Sequence, residues 1–273
     1  MEYAVPILIL SANSSPYSER RQGCRETWVP LLRTDFHPLF VLGSPDLKED
    51  WRFEGDILRV RCHDDYLHLC EKMRLALAAV LDRFAFPWLF KCDDDTWLNA
   101  WRFNGYPFWN WDQVGAFAWG ENGWASGAGY SLSYRAARYV LTHWHENEEI
   151  TTAEDRHIGG LVRKLPGAKR FHEPAIQCAS GPEWRPCLVG HWIKTPEEMH
   201  AFHLKAFQHE QETGTLLGGY NLAGGFAQRP AETRQGRTKP KPFADARTNG
   251  LIFVQIAAYR DPDLIATLRD LVG

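Results

Sequence analysis

Four short apolar runs stand out along the first hundred residues. Val5–Leu10, Leu39–Leu42 and Ile57–Val60 are largely aliphatic, and polar or turn-forming residues follow the first two. This pattern predicts buried strands. Trp88–Phe90 is a fourth strand candidate, and the chain runs from it almost directly into the acidic triplet Asp93–Asp95.

Helical periodicity fills the segments between these runs. Apolar residues at helical spacing predict a helix from Asp65 to Arg83, and a second one over Arg20–Val29 that Pro30 closes. Strands that alternate with helices predict an α/β fold with a mostly parallel central sheet. Ligands of such sheets bind beyond the carboxyl ends of the strands. Both Ser11–Ser15 and Asp93–Asp95 are therefore expected at the ligand-binding edge.

The composition changes after Phe207, which predicts three regions. Residues 1–207 form the α/β domain, and residues 208–250, rich in Gly, Gln, Thr and basic residues, form a linker or a loosely packed extension. Residues 251–273 contain a strand pattern and then a helical pattern. One strand and one helix cannot bury their own faces, so this fragment either docks on the first domain or begins a second one.

Composition excludes several classes of protein. The 273 residues are 44% apolar with a net charge of -3, which is typical of a globular enzyme-sized domain and gives no general attraction to nucleic acid. The longest apolar runs are shorter than the roughly 20 residues that cross a bilayer. With no basic and apolar leader at Met1, we expect no membrane anchor and a cytoplasmic location.

The six cysteines have no metal-ligand spacing. Their scatter fits buried thiols as well as a disulfide framework, and a Cys178–Cys187 bridge stays open on the sequence alone.

The acidic triplet is the first candidate for chemistry. Three adjacent carboxylates after a buried strand raise one another's pKa unless a cation neutralises them. Mg²⁺ or Mn²⁺, shared with substrate phosphates, is the natural partner. An acidic surface turn is the alternative, and the position of Asp93–Asp95 after an apolar strand makes the two interpretations about equal.

Glu154 and Asp155 form a second acidic pair. They precede a short helical pattern, so Thr152 with Asp155, or Thr151 with Glu154, could form a capping box. A carboxylate at a helix start beside a metal site is also a candidate general base. The two interpretations are compatible if Glu154 takes the capping part.

Two further segments have weaker signals. Trp124–Tyr130 combines glycines with two aromatic residues, which suits either a ligand-contacting loop or a structural glycine-rich turn. His191 follows a short apolar run and precedes the helix start at Thr195. A lone histidine is more often structural, but a neutral imidazole could complete a metal site begun by carboxylates.

Taken in order, these pieces resemble the beta-1,3-galactosyltransferase and Fringe-like glycosyltransferases, including the core-1 type. The similar blocks are Arg20–Trp28, Phe40–Gly43, Asp64–Lys72, Lys91–Thr96, Ser126–Ser133 and Glu154–Asp155. The resemblance extends over about residues 5–203. A departure is His68-Leu-Cys70, where the family has Asn-Leu-Thr before the lysine.

The resemblance implies a GT-A fold and an inverting, Mn²⁺- or Mg²⁺-dependent transfer of a hexose from a UDP-sugar, with galactose favoured and GlcNAc next. The acceptor is then a hydroxyl of a glycan or glycoprotein, and the linkage beta-1,3. Asp155 resembles the catalytic base, and Asp93, Asp95 and His191 the metal ligands. Positions similar to the family's nucleotide side are Arg21, Arg25, Lys72, Asp93 and Asp94. Positions similar to its acceptor side are Trp124, Gly127, Gly129, Tyr130 and Glu154.

The last 23 residues carry a separate resemblance. Ile252–Pro262 followed by Thr267–Asp270 is similar to the opening of cytosolic protein-hydroxyproline GlcNAc-transferases. This implies a second transferase domain that begins at residue 251.

Two other functions remain open on the sequence. One is a catalytically silent carbohydrate- or nucleotide-binding module whose tryptophans recognise a glycan. The other is a metal phosphohydrolase that uses the same acidic triplet, which the ordered family blocks make the weaker alternative.

Overall fold

An eight-stranded sheet lies at the centre of the fold. In this computed structural model the described residues are 2–118, 123–147, 153–176, 181 and 183–214. The strands among these residues are β1 (Glu2–Tyr3), β2 (Val5–Leu10), β3 (Phe36–Gly43), β4 (Trp51–Glu54), β5 (Ile57–Val60), β6 (Phe84–Ala85), β7 (Trp88–Asp93), β8 (Trp97–Leu98), β9 (Gln113–Phe117), β10 (Ala125–Ser133), β11 (Arg170–His172) and β12 (Val189–Gly190).

The central sheet has the order β11-β9-β10-β7-β2-β3-β5-β4. The pairs β7–β2, β2–β3, β3–β5 and β11–β9 are parallel, whereas β10 runs antiparallel to both of its neighbours. The predicted α/β class with a mostly parallel central sheet is confirmed. Strands β1 with β6 and β8 with β12 form two small separate pairs.

Helices cover both faces of the sheet. They are α1 (Tyr17–Glu26), α2 (Leu69–Arg83), α3 (Ala100–Phe103), α4 (Tyr134–Thr142), α5 (Glu154–Lys164) and α6 (Pro196–Glu212). In β2, Leu8 and Leu10 pack into one apolar core with α2, α4 and α5, while Ile7 and Ile9 pack into a second core with α1, α3 and α6. Since successive strand residues face opposite sides, a wholly apolar β2 is what a sheet covered on both faces requires.

Most of these strands and helices lie close to the bounds predicted from the sequence. Strands β2 and β5 have the predicted bounds, while β3 and β7 are longer than predicted. The first helix begins earlier than Arg20 and ends before Val29, because a separate 3₁₀ turn containing Pro30 follows it. The helix predicted from Asp65 is divided in the same way, into a 3₁₀ turn over Tyr66–His68 and then α2.

The glycine-rich segment differs from its prediction. From Ala125 onward it is not a loop or a turn but strand β10, which lies between β9 and β7. Small residues are needed there because a Cβ at Gly129 would lie 2.6 Å from the Phe90 ring, and one at Gly115 would lie 2.6 Å from Ala125.

Most of the carboxyl-terminal part of the chain lies outside the described residues. Helix α6 crosses the predicted boundary at residue 207 and continues to Glu212. The rest of the predicted linker and the strand–helix fragment at 251–273 lie outside the described residues. No helix in the described part of the chain has the length and apolar character to span a bilayer.

Within the described ranges, five cysteines are buried thiols and none of them is in a disulfide: Cys24, Cys62, Cys70, Cys92 and Cys187. Cys178, the other half of the bridge considered above, lies outside those ranges.

Candidate active site

The acidic triplet lies where two central strands end side by side. Leu10 pairs with Asp93 in the register of β2 and β7, and the amide of Asp94 donates to the carbonyl of Leu10 over 3.1 Å. The hydroxyl of Ser11 donates to Asp94 Oδ2 over 2.7 Å. The loop after β2 and the turn after β7 therefore share the carboxyl edge of the sheet, as the sequence predicts.

Asp93, Asp95 and His191 form the one group, among the described residues, that could hold a metal ion. Their three ligand atoms lie within 4.8 Å of one another. His191 Nε2 is 3.1 Å from Asp95 Oδ1 and 3.8 Å from Asp93 Oδ2. A ring nitrogen that carries its proton can donate to the Asp95 carboxylate, and one without a proton has a lone pair for a cation. Two carboxylates and one imidazole are a donor set that fits Mn²⁺ or Mg²⁺.

Asp95 is held ionised by its surroundings. Burial alone would raise the pKa of Asp95, but the hydrogen bond and charge of His191, together with Lys194, outweigh it and lower the pKa to about 2. A carboxylate that stays ionised throughout the physiological range does not have to lose a proton before it binds a cation.

Asp94 has a different environment from its neighbours. Its carboxylate accepts from Ser11 and lies 3.5 Å from the Arg20 guanidinium. Burial raises the pKa of Asp94 to about 7, although Ser11 and Arg20 act in the opposite direction. Through Ser11 and Arg20, Asp94 therefore connects the loop after β2 and helix α1 to the acidic turn. It does not belong to the group of three residues that could hold a metal ion.

A buried ion network connects the triplet with the second acidic pair. Lys91 is fully buried, and its Nζ donates to Asp93 Oδ1 over 2.8 Å and also to Glu154. The other oxygen of Glu154 accepts from the Tyr130 hydroxyl over 2.9 Å. Burial would lower the pKa of Lys91, but Asp93 and Glu154 outweigh it and raise the pKa, so the ammonium stays charged.

Asp155 lies next to the triplet across the backbone of β10. The amide of Gly127 donates to Asp155 Oδ2 over 3.1 Å. A Cβ at Gly127 would lie 3.2 Å from Asp93 Oδ2 and 3.9 Å from Asp155 Oδ2, so both carboxylates border the space above this glycine. The fold thus brings Asp155 and the metal-capable group to one place.

The structure describes the helix that begins at the second acidic pair, but not the threonines of the predicted capping box. Helix α5 begins at Glu154, and its N-cap Ala153 has no side chain that could cap it. Glu154 and Asp155 bind Lys91 and Gly127 instead. Thr151 and Thr152 lie outside the described residues.

A cavity of about 220 Å³ lies beside the acidic turn. The polar residues that line it are Ser11, Arg20, Asp64, Asp65, Lys72, Asp93, Asp94 and Asp95. Lys72 is almost fully buried, and its Nζ donates to the Ser11 carbonyl and to Asp64 Oδ1 over 2.8 and 2.7 Å. A second, wider cavity of about 850 Å³ shares Asp64 with the first.

Arg21 and Arg25, which were predicted on the nucleotide side, contact other parts of the protein. Arg21 is buried and supports the loop after β2, because its guanidinium donates to Ser11 Oγ over 2.8 Å and to the Ala12 carbonyl. Arg25 forms an ion pair of 2.7 Å with Asp56, away from the triplet. Arg20, which the sequence analysis did not select, is the arginine that faces Asp94.

Some of the residues that were predicted on the acceptor side border the site, and others lie in the core. Gly127 borders the site, and Trp124 is partly exposed with the Arg156 guanidinium 4.9 Å from its ring centre. Gly129 faces Phe90, and Tyr130 is fully buried. The ring of Tyr130 is therefore unavailable for stacking on a substrate, and its hydroxyl orients Glu154 instead.

Sequence reasoning missed Lys91 and Lys194. A signal for Lys91 is present, since a lysine inside an otherwise apolar strand needs a partner, and the partners turn out to be Asp93 and Glu154. Lys194, whose Nζ contacts Asp95 Oδ2, has no comparable signal in the sequence.

Comparison with known proteins gives partial matches. The galactosyltransferase family model matches residues 19–106, a range that includes the triplet but ends before Asp155 and His191. No curated protein matches the chain.

Among solved structures, the chain is similar to a glycosyltransferase involved in the glycosylation of the major capsid of PBCV-1, with 13% identity and a TM-score of 0.43 over 72% of this chain and 98% of that one. It is also similar to the glycosyltransferase GlyE of Streptococcus pneumoniae TIGR4, with 9% identity and a TM-score of 0.45 over 78% of this chain and 64% of that one. Likenesses this distant establish no activity, which has to be argued from the site.

Proposed function

We propose that this chain is a metal-dependent, inverting glycosyltransferase with a GT-A type of fold, which moves a hexose from a UDP-sugar to an acceptor hydroxyl. The observation that carries the proposal is that the group of Asp93, Asp95 and His191 lies next to Asp155, because Asp93 and Asp155 both border the space above Gly127. The family match over residues 19–106 supports it independently, because it includes the acidic triplet.

The donor's diphosphate belongs at the edge of the sheet beside the triplet. Asp93, Asp95 and His191 would hold Mn²⁺ or Mg²⁺ there, which would supply Lewis-acid stabilisation of the charge on the departing nucleotide. Arg20 and Lys72 line the adjoining cavity and add positive charge on the nucleotide side. The wider cavity, which shares Asp64, has about 850 Å³, within the range of about 300–1,000 Å³ that is usual for small-molecule sites.

Asp155 is the proposed general base. Gly127 orients one of its oxygens through the amide hydrogen bond, while the side chain is only partly buried and can meet an acceptor. As the acceptor oxygen bonds to the anomeric carbon, its proton passes to Asp155, and the bond from that carbon to the phosphate oxygen breaks with its electrons leaving on UDP. Attack from the face opposite the leaving group inverts the anomeric configuration.

Donor, linkage and compartment are further parts of the proposal. The name of the matched family favours galactose, with GlcNAc as the next candidate, and the resemblance in the sequence favours a beta-1,3 linkage. The five described thiols that are not in disulfides fit a reducing, cytoplasmic compartment. A second transferase domain from residue 251 remains a prediction.

The proposal is tested by incubating the full chain with a panel of UDP-sugars, Mn²⁺ and simple glycosides as acceptors. We expect UDP to be released from one hexose donor above all others, with a product heavier by one hexose in the mass spectrum. An Asp155→Asn variant in the same assay separates this activity from a contaminant.

Two outcomes would contradict the proposal. Binding of UDP-sugars without turnover on any acceptor would favour a silent binding module. Release of phosphate that is indifferent to the sugar would favour a phosphohydrolase.

A further inference from the structure

The segment His191–Lys194 encloses one carboxylate from two sides. His191 Nε2 lies 3.1 Å from Asp95 Oδ1, and Lys194 Nζ contacts Asp95 Oδ2. The amide of Ile193 donates to the Asp95 carbonyl over 3.0 Å. Side chain and backbone of Asp95 are therefore both bound by residues of this one segment.

A strained residue makes this double contact possible. Trp192 has φ of 67°, in the left-handed region that tryptophan rarely adopts, and it lies between His191 and Ile193. Such a conformation persists only where surrounding contacts enforce it, and it is typical of functional sites. Here the enforcing contacts are those that His191, Ile193 and Lys194 make with Asp95.

Lys194 is the cation of this site that is able to move. The side chains of Lys91, Lys72 and Arg20 are 0%, 2% and 15% exposed, whereas that of Lys194 is 49% exposed. The buried Lys91 binds two carboxylates, those of Asp93 and Glu154. The buried Lys72 binds the Asp64 carboxylate and the Ser11 carbonyl. Because about half of its side chain is already exposed, the ammonium of Lys194 can exchange Asp95 for solvent or another anion.

Lys194 and a divalent cation compete for the same carboxylate. Asp95 is one of the three candidate metal ligands, and an ammonium on its Oδ2 covers one of its two oxygens. Two positive charges a few ångströms apart repel strongly where water is partly excluded. A bound cation would therefore displace Lys194, and a donor diphosphate beside it would offer the ammonium a new anionic partner.

We infer that Lys194 exchanges partners, binding Asp95 in the empty site and the donor's diphosphate once cation and donor are bound. This inference depends on the proposed function and adds a diphosphate-binding residue to it. In the empty state Lys194 also keeps the Asp95 side of the acidic group neutralised, which spares the fold the repulsion among Asp93, Asp94 and Asp95.

The test measures Mn²⁺ binding and UDP binding separately, by calorimetry, in Lys194→Met. Methionine keeps an unbranched apolar stem and removes the ammonium. Lys205→Met is the matched control, because Lys205 is exposed on α6 and the change in net charge is the same.

We expect Lys194→Met to bind Mn²⁺ alone more tightly than wild type and control, by about threefold to tenfold, since a competitor has been removed. UDP at saturating Mn²⁺ should bind about tenfold more weakly, since a charge-assisted contact has been lost. Lys194→Arg should restore most of the UDP affinity.

The opposite signs of the two changes identify the exchange. Tighter Mn²⁺ binding with unchanged UDP affinity would overturn it, because Lys194 would then be only a competing charge. Weaker Mn²⁺ binding would overturn it too, because Lys194 would then be supporting the site structurally, and unchanged values for both ligands would do the same. If wild type itself binds no Mn²⁺, the proposed function fails as well.

Discussion

The amide of Gly127 donates a hydrogen bond to Asp155 Oδ2 over 3.1 Å, which ties the proposed base to the first part of β10. Asp93 Oδ2 also borders the space above this glycine. The absence of a side chain at this position keeps open the space between the metal-capable group and the base, where the anomeric carbon would react.

Gly127→Ala is therefore expected to reduce turnover while leaving the fold intact. The new methyl group lies 3.2 Å from Asp93 Oδ2, a partly exposed carboxylate that can shift. If the Asp93 carboxylate moves to make room, the reacting groups are misplaced, and we expect turnover to fall by about 10- to 100-fold. Steady-state transfer rates and thermal unfolding of the same preparation check this.

Gly129→Ala is the matched variant with the opposite expected result. Its methyl group would lie 2.6 Å from the ring of Phe90 in the core, so we expect a loss of about 1–3 kcal/mol of unfolding free energy from overpacking. If Gly127→Ala also loses stability but not turnover, the space above Gly127 is structural rather than catalytic.

Asp155→Asn should abolish transfer and preserve donor binding. The amide oxygen of asparagine can still accept from Gly127, but the side chain cannot take a proton, so turnover should fall about 10²- to 10⁴-fold. UDP affinity in calorimetry should remain near that of wild type. Asp82→Asn, an exposed position on α2, is the control, and wild-type turnover in Asp155→Asn would remove Asp155 from the role of base.

Lys91→Met should destabilise the protein markedly. The change leaves Asp93 and the buried Glu154 without the ammonium that both of them contact. Removing one partner of a buried ion pair costs about 3–5 kcal/mol. Urea unfolding without metal measures this, and adding Glu154→Gln should recover part of the loss. A Lys91→Met variant as stable as wild type would show that the network has little energetic weight.

His203 should make stability depend on pH in weak acid. Burial, with a smaller contribution from His200, lowers the pKa of His203 from 6.5 to about 4, and its Nδ1 accepts from the Trp97 indole over 3.2 Å. Between these two pKa values the unfolded chain binds a proton that the folded chain refuses, so the unfolding free energy falls as the pH drops from 6.5 to 4.

Because the His203 ring is partly exposed, we expect the fall to be roughly 2 kcal/mol at most. His203→Gln keeps an acceptor for Trp97 and cannot titrate, so its stability should decline less than that of wild type over this range. Parallel curves for the two proteins would contradict the assignment.

Local signals in the sequence were sufficient for much of the sheet and for the edge at which the site lies. The aliphatic runs of β2 and β5 predict buried strands because both of their faces are covered, and turn residues mark the carboxyl end of β2. From those strand ends alone, Ser11 and the acidic triplet could be placed together.

Features that depend on distant neighbours could not be predicted. The small residues of β10 are typical of a loop, yet they form a strand in which Gly129 lies against the Phe90 ring and has no room for a side chain. The partner of Lys91 across the site is Glu154, and that of Lys194 is Asp95, 99 positions away in the sequence. No periodicity indicates such pairs.

In the proposed function, Asp93, Asp95 and His191 bind the donor's diphosphate through a divalent cation. Calorimetric titration of UDP into chelator-treated protein, with and without Mn²⁺, is the sharpest test of this role. We expect at least about tenfold tighter binding with Mn²⁺, and loss of that gain in Asp95→Asn. Equal UDP affinity with and without Mn²⁺ in the wild-type protein would contradict it.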